Sequence, residues 1–211
     1  MPKLVALLSN ADLNDDERSQ TLNIILEKIT DQEEKLSSIS HGIVAAIVSG
    51  LETTWFNKPY IASLAARVLG SAAKVLSGRA AIDKALGVIV LRDMLKHDDV
   101  GVREAAGAAL NTIAVFRDGV NMIVKNDENI CMIVAAIFDN ISNDTSFHGS
   151  CNVVTEIATL CCSLSRLQKG IDAGVKNGMV KKLISALEPR NVGIQPDKGI
   201  FILFKDTKLI K

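Results

Sequence analysis

The strongest constraint on this chain is that it repeats itself. The apolar segment Gly42–Leu51 returns as Met132–Ile141 and as Gly178–Leu187, with a weaker copy at Gly87–Leu95. Three columns align: Val44, Val88, Val134 and Val180; Ile47, Leu91, Ile137 and Leu183; Leu51, Leu95, Ile141 and Leu187. Successive copies lie 44, 46 and 46 residues apart. Within each copy the columns fall at i, i+3 and i+7, the spacing of one helix face.

Each copy follows another helical stretch: Ser19–Ile29, Tyr60–Val75, Val102–Val115 and Asn152–Ser163. Between stretch and copy comes a shorter segment closed by turn residues, Ser40-His41-Gly42, Ala85-Leu86-Gly87, Lys125-Asn126-Asp127 and Lys176-Asn177-Gly178. Gly and Asn adopt the left-handed conformation that closes a helix at least cost. Further breaks stand at Asn57-Lys58-Pro59, His97-Asp98-Asp99 and Asn143-Asp144-Thr145, where Asp and Thr side chains suit N-caps. A single unit of this size cannot bury its own apolar face, so neighbours must stack into a solenoid with one continuous core. The pattern predicts an all-α chain of about four three-helix units over 14–189, divided near 14–55, 56–97, 98–143 and 144–189. Residues 1–13 are expected to cap the first unit, and 190–211 form a C-terminal tail. Aromatics at 4% of the chain fit helices better than sheets.

The stretch Val100-Gly101-Val102-Arg103-Glu104-Ala105-Ala106-Gly107-Ala108-Ala109-Leu110-Asn111-Thr112-Ile113-Ala114, with the turn region from Gly119 to Ile130 after it, resembles an armadillo or HEAT repeat. The resemblance implies a right-handed superhelix whose units have a short first helix and two longer ones, the third lining a concave groove. Among such proteins the chain is most similar to the armadillo-repeat radial-spoke head proteins of motile cilia. The carriers are Leu13–Arg18, Val68-Leu69, Gly78-Arg79-Ala80, Val102-Arg103, Gly119 through Ile123-Val124, and Ile157–Cys161. Those proteins usually continue into further repeats, whereas this pattern stops after four. The resemblance implies a structural subunit of a stable assembly, in the cytoplasm and specifically in the axoneme of a cilium or flagellum. A soluble adaptor or chaperone cofactor that exchanges partners through its groove is the second reading.

Composition narrows the partners. Lys and Arg number 24 and Asp and Glu 24, which argues against bulk electrostatic capture of nucleic acid or an anionic membrane. The longest apolar run, Ile130–Phe138, is far short of the roughly 20 residues of a spanning helix. Leu4–Leu8 is too brief for a signal-peptide core. Cys131, Cys151, Cys161 and Cys162 lie among apolar residues and read as free buried thiols of a reducing compartment.

No constellation points to catalysis, a cofactor or a small-molecule substrate. His148, Cys151, Cys161 and Cys162 make the most metal-like cluster, but no paired ligand motif completes a tetrahedron. Gly170–Gly178 lacks the Gly-Lys-Ser/Thr ending of a phosphate loop. Arg103 with Asp98 and Asp99 reads as an inter-unit tether with helix-capping acids rather than an anion site. His41 and His97 sit at turns without a neighbouring nucleophile.

The expected partners are therefore other proteins. With Val44, Ile47, Val48 and Leu51 turned to the core, the groove floor is expected from Ala45, Ala46, Ser49 and Gly50; Ile89, Val90, Asp93 and Met94; Ala135, Ala136, Asp139 and Asn140; Lys181, Lys182, Ser185 and Ala186. Such a floor is small and apolar, with a basic end, and lacks the Trp and Asn ladder of import adaptors. Trp55 and Phe56, read as a loop, either anchor a partner or pack over the first unit. The tail run Gly199–Phe204 needs cover, on the stack or on a partner.

Overall fold

A computed structural model describes residues 1–8, 10, 12–126, 151–179 and 181. The described helices are α1 (Pro2–Leu8), α2 (Asp15–Lys28), α3 (Gln32–Ser40), α4 (Ile43–Gly50), α5 (Pro59–Ala72), α6 (Leu76–Lys84), α7 (Gly87–Met94), α8 (Val100–Ala114), α9 (Arg117–Asn126), α10 (Cys151–Leu164) and α11 (Gln168–Lys176), with a π-helical turn at Leu51–Trp55. No strand occurs among the described residues. A long helix followed by two shorter ones, 14, 9 and 8 residues in each case, runs through α2–α4 and α5–α7, and α8–α9 and α10–α11 begin the same order again.

Helix starts follow local chemistry. Asn14 and Glu17 form a reciprocal capping box on α2, Glu17 N–H donating to Asn14 Oδ1 at 2.9 Å and Asn14 N–H to Glu17 Oε2 at 3.1 Å. Asp31 accepts from the Glu33 and Glu34 amides at α3. Asp99 accepts from Val102 N–H at α8, as the Asp98-Asp99 break predicts. Pro59 occupies the first turn of α5, where its missing N–H costs nothing.

The repeat columns are core where they are described. Val44, Ile47 and Leu51 are at most 1% exposed, and Val88, Leu91 and Leu95 are fully buried. The long helices α2, α5, α8 and α10 stack in sequence as one layer. Small residues bring them close: a Cβ on Gly70 would stand 3.2 Å from Ala109 Cα, and one on Gly107 3.0 Å from Glu156 Cβ. Buried Ala62, Ala65, Ala66, Ala105, Ala106 and Ala158 continue the seam. Helix α1 lays Val5 and Leu8 against the first unit.

Two expectations need correction. The left-handed turn residue of the second unit is Leu86 (φ +57°), matching Gly42 (+84°) and Gly178 (+73°) in their units. Gly87 instead opens α7 against Ile82, where a Cβ would come within 3.0 Å of Ile82 Cγ2. The Trp55-Phe56 pair is not in a loop. Trp55 ends the π turn that prolongs α4, is 3% exposed, lies against Gly50, and carries the Arg18 guanidinium 5.5 Å from its ring centroid. Half-buried Phe56 meets His97 edge-on at 5.2 Å, and its carbonyl lies 3.0 Å from His97 Nε2. Asp99 N–H donates to His97 Nδ1, so Nε2 carries the proton and donates to Phe56. His97 thereby ties the start of the second unit to the start of the third.

Candidate partner-binding surface

The layer of long helices supplies an open face. Matching the helix ends from unit to unit puts Asn23, Arg67, Ala108 and Thr159 in one outward column, and Thr30, Lys74, Val115 and Arg166 in another. A cleft of about 410 Å³ opens here, its walls formed by Lys74 from the C-terminal end of α5, Ala108, Asn111, Thr112, Val115 and Phe116 along α8, and Glu156 of α10. Asn111 is 8% exposed. Its amide nitrogen donates to the Glu156 carbonyl at 2.6 Å and to the Glu156 carboxylate, while its Oδ1 is buried with no partner. A buried amide oxygen left in that state costs about 1–3 kcal/mol. Val115 is 59% exposed at the cleft edge, and half-buried Phe116 is covered from behind by Arg79, whose Cζ lies 3.8 Å from the ring centroid.

Arg79 joins the second unit to the third. It is 7% exposed, donates from Nε to Asp118 Oδ2 at 2.7 Å and from an η nitrogen to Ala73 O at 3.0 Å. The Arg79 hydrogen bond holds the Asp118 carboxyl below its ordinary range against the opposing effect of desolvation. A carboxyl depressed by folding stabilises the fold above its unfolded pKa, near 4, and that contribution is lost as pH falls through the lower folded value. Asp118→Asn is therefore expected to lower the urea midpoint slightly at neutral pH, with the gap to wild type closing below about pH 4. Because the Asp118 side chain is 47% exposed, solvent keeps the effect under roughly 1 kcal/mol. A gap that widens on acidification would contradict the assignment.

The sequence-derived candidates fall as follows. Asp93 is half-buried on α7, with its carboxylate engaged by Arg92 at 2.8 Å. Lys181 is exposed. Asp139, Asn140, Lys182 and Ser185 lie outside the described residues. Trp55 is core and Phe56 half-buried, as above. On the expected groove floor, Ala45 and Ser49 are exposed, but Val90 (7%) and Met94 (fully buried) are core residues. Helix α7 packs against α4, α6, α8 and α9, and Val90 and Met94 belong to that packing rather than to a floor. The cleft residues Lys74, Asn111, Val115 and Glu156 escaped the sequence reading. Their signal was the Ala- and Gly-rich composition of the longest stretch in each unit. In a stack that curves, the layer whose helices approach most closely lies on the inside.

The remaining motifs are structural in geometry. Arg103 donates to His97 O at 2.6 Å and Asp98 O at 2.7 Å, clasping the turn before α8. Gly170–Gly178 forms α11 and its left-handed closing turn. Cys161 and Cys162 are not in a disulfide, and burial raises the Cys162 pKa despite nearby Arg166, which keeps it a protonated, poor nucleophile. Among the described residues no group of three or more His, Cys, Asp or Glu side chains is placed to hold a metal, and no single helix is long and apolar enough to cross a membrane. The His148 and Cys151 side chains lie outside the described set.

No protein-family model matches the chain, and no curated protein does. Solved structures do. A designed armadillo repeat protein in complex with the peptide (KR)4 superimposes with a TM-score of 0.77 at 15% identity, over 97% of this chain and 80% of that one. A second designed armadillo repeat protein gives 0.76 at 14%, over 96% and 78%. An engineered protein gives 0.75 at 23%, over 94% and 74%. Identities this low speak to the fold alone. The chain is an all-α, armadillo-like superhelical solenoid of three-helix repeats.

Proposed function

We propose that this protein is a non-catalytic interaction scaffold that holds partner proteins against its long-helix layer, as a structural subunit of a larger assembly. The observation that carries this reading is the open cleft on the long-helix layer, where Lys74, Glu156 and an apolar edge at Val115 and Phe116 surround a buried, unpartnered amide oxygen of Asn111. The designed armadillo protein in complex with the peptide (KR)4 has the same fold, which supports a protein-binding role for this one. The formal net charge of zero favours docking by shape and local polarity over bulk electrostatics. The framework residues similar to radial-spoke head proteins make the axoneme of a cilium or flagellum the assembly to test first.

The test is isolation of the native protein with its neighbours at moderate and at high salt, with the retained proteins identified by mass spectrometry. Axonemal subunits held at high salt are the expected result. Retention of a different fixed set of subunits would keep the scaffold and remove the axoneme. A protein isolated alone at both salts would overturn the scaffold reading.

A further inference from the structure

We infer that the apolar run Ile200-Phe201-Ile202-Leu203-Phe204 of this chain docks on the outward face of α11 and covers the last joint face of the described stack. The short helices α3, α6, α9 and α11 stack in sequence as a second layer. Two positions on each form its forward face: the residue after Gly78, Gly119 or Gly170, and the residue four further on. In the second unit these are Arg79 and Asp83. Arg79 donates to Asp118, and Asp83 pairs with Lys125 at 3.6 Å, both partners lying on α9 of the third unit. In the first unit buried Lys35 and half-buried Ile39 hold the same places, and a Cβ on Gly78 of α6 would stand 3.2 Å from Ile39 Cδ1. In the third unit they are buried Val120 and half-buried Val124.

The fourth unit departs from this series. Its two residues are Ile171 and Val175, 39% and 61% exposed, one turn apart on one helix face. A terminal unit that meets water carries a polar outer face, whereas this one is apolar where the other three are covered. The same chain holds a segment that matches it. Ile200–Phe204 is five consecutive apolar residues, a run that needs burial to be safe from aggregation. Lys181 and Ile200 are 19 positions apart, a reach of up to about 60 Å, against about 13 Å for the length of α11. A segment tethered so near competes at an effective concentration of roughly millimolar, which favours it over a second copy of the chain. The opposite end of the stack is covered in the same manner, by α1 of this chain through buried Val5 and Leu8.

The experiment places the photo-crosslinker p-benzoylphenylalanine at position 201 of the full chain, in place of Phe201, and maps the products by mass spectrometry. The expected product stays in the monomer band and joins position 201 to the tryptic peptide Gly170–Lys176. Val175→Asp, at an exposed position that leaves the helical circular dichroism unchanged, should cut that product about fivefold or more, because docking would bury its carboxylate. Val115→Asp, equally exposed but on α8, should leave the yield unchanged. A product confined to a dimer band would assign the face to a second copy and overturn the inference. Products on other helices, no product at all, or a yield indifferent to Val175→Asp would overturn it too. Native purification judges the scaffold reading separately, since partners can be held whether or not this end is covered by its own chain.

Discussion

Replacing Leu110 with alanine lowers the stability of the array by about 2–5 kcal/mol, the cost of emptying a fully enclosed leucine site. Leu110 is fully buried on α8, the long helix that packs against both α5 and α10. The loss therefore falls on two inter-unit interfaces at once. In a stack where each unit contacts only its neighbours, weakening a central interface also loosens the coupling that makes unfolding a single event. The urea transition of Leu110→Ala should move to a lower midpoint and become shallower. Val115→Ala, five residues on and 59% exposed, should stay within about 0.5 kcal/mol of wild type. An unmoved midpoint for Leu110→Ala would mean that α8 is not the shared core helix.

The repeat was legible because the code for stacking is local and periodic. Val44, Ile47 and Leu51 recur as Val88, Leu91 and Leu95, and the same helix face meets the same neighbour in each unit. Turn chemistry was legible for the same reason at Gly42 and Gly178. It misled at the second unit, where Leu86 takes the left-handed position and Gly87 serves close packing instead. Leu86 bears the left-handed conformation although its side chain is 49% exposed, against the local preference for Gly or Asn at such a turn.

The candidate site was less legible. A helix face left free by its own unit is outward only if no other unit covers it. Val90 and Met94 lie on such a face of α7 and are buried by packing that depends on the curvature of the array. The cleft depends on relations between units: Lys74, Asn111 and Glu156 belong to three successive ones and meet only once the long helices stack. Spacing within one repeat predicts none of those meetings. What the sequence did contain was the abundance of Ala and Gly on α5 and α8, the mark of a tightly packed inner layer.

Glycine also supplies the second large effect. Gly78, Gly119 and Gly170 hold the same place, three residues after the turn residues Val75, Phe116 and Leu167 that precede α6, α9 and α11. A Cβ at any of them would lie deep inside van der Waals contact with a backbone carbonyl of the preceding long helix: Ala72 O, Ile113 O and Leu164 O respectively. Those carbonyls also accept the N–H of Val75 at 3.3 Å, Phe116 at 3.3 Å and Leu167 at 3.4 Å. The long helix thus ends by pressing its last turn onto the start of the short helix. Val75 and Leu167 make no side-chain cap, whereas in the first unit Asp31 caps α3 and Glu34 replaces the glycine. Gly119→Ala should accordingly cost about 3 kcal/mol, the upper end of overpacking, because the obstructing atom is backbone and cannot rotate away. Gly178→Ala is the comparison: it faces open space and meets only the left-handed penalty of its φ of +73°, about 1–2 kcal/mol. Urea midpoints should rank wild type above Gly178→Ala and Gly178→Ala above Gly119→Ala. The reverse order for the two variants would show that the short helices can slide off the carbonyls at little cost, and that the glycine column does not set the joint between successive helices.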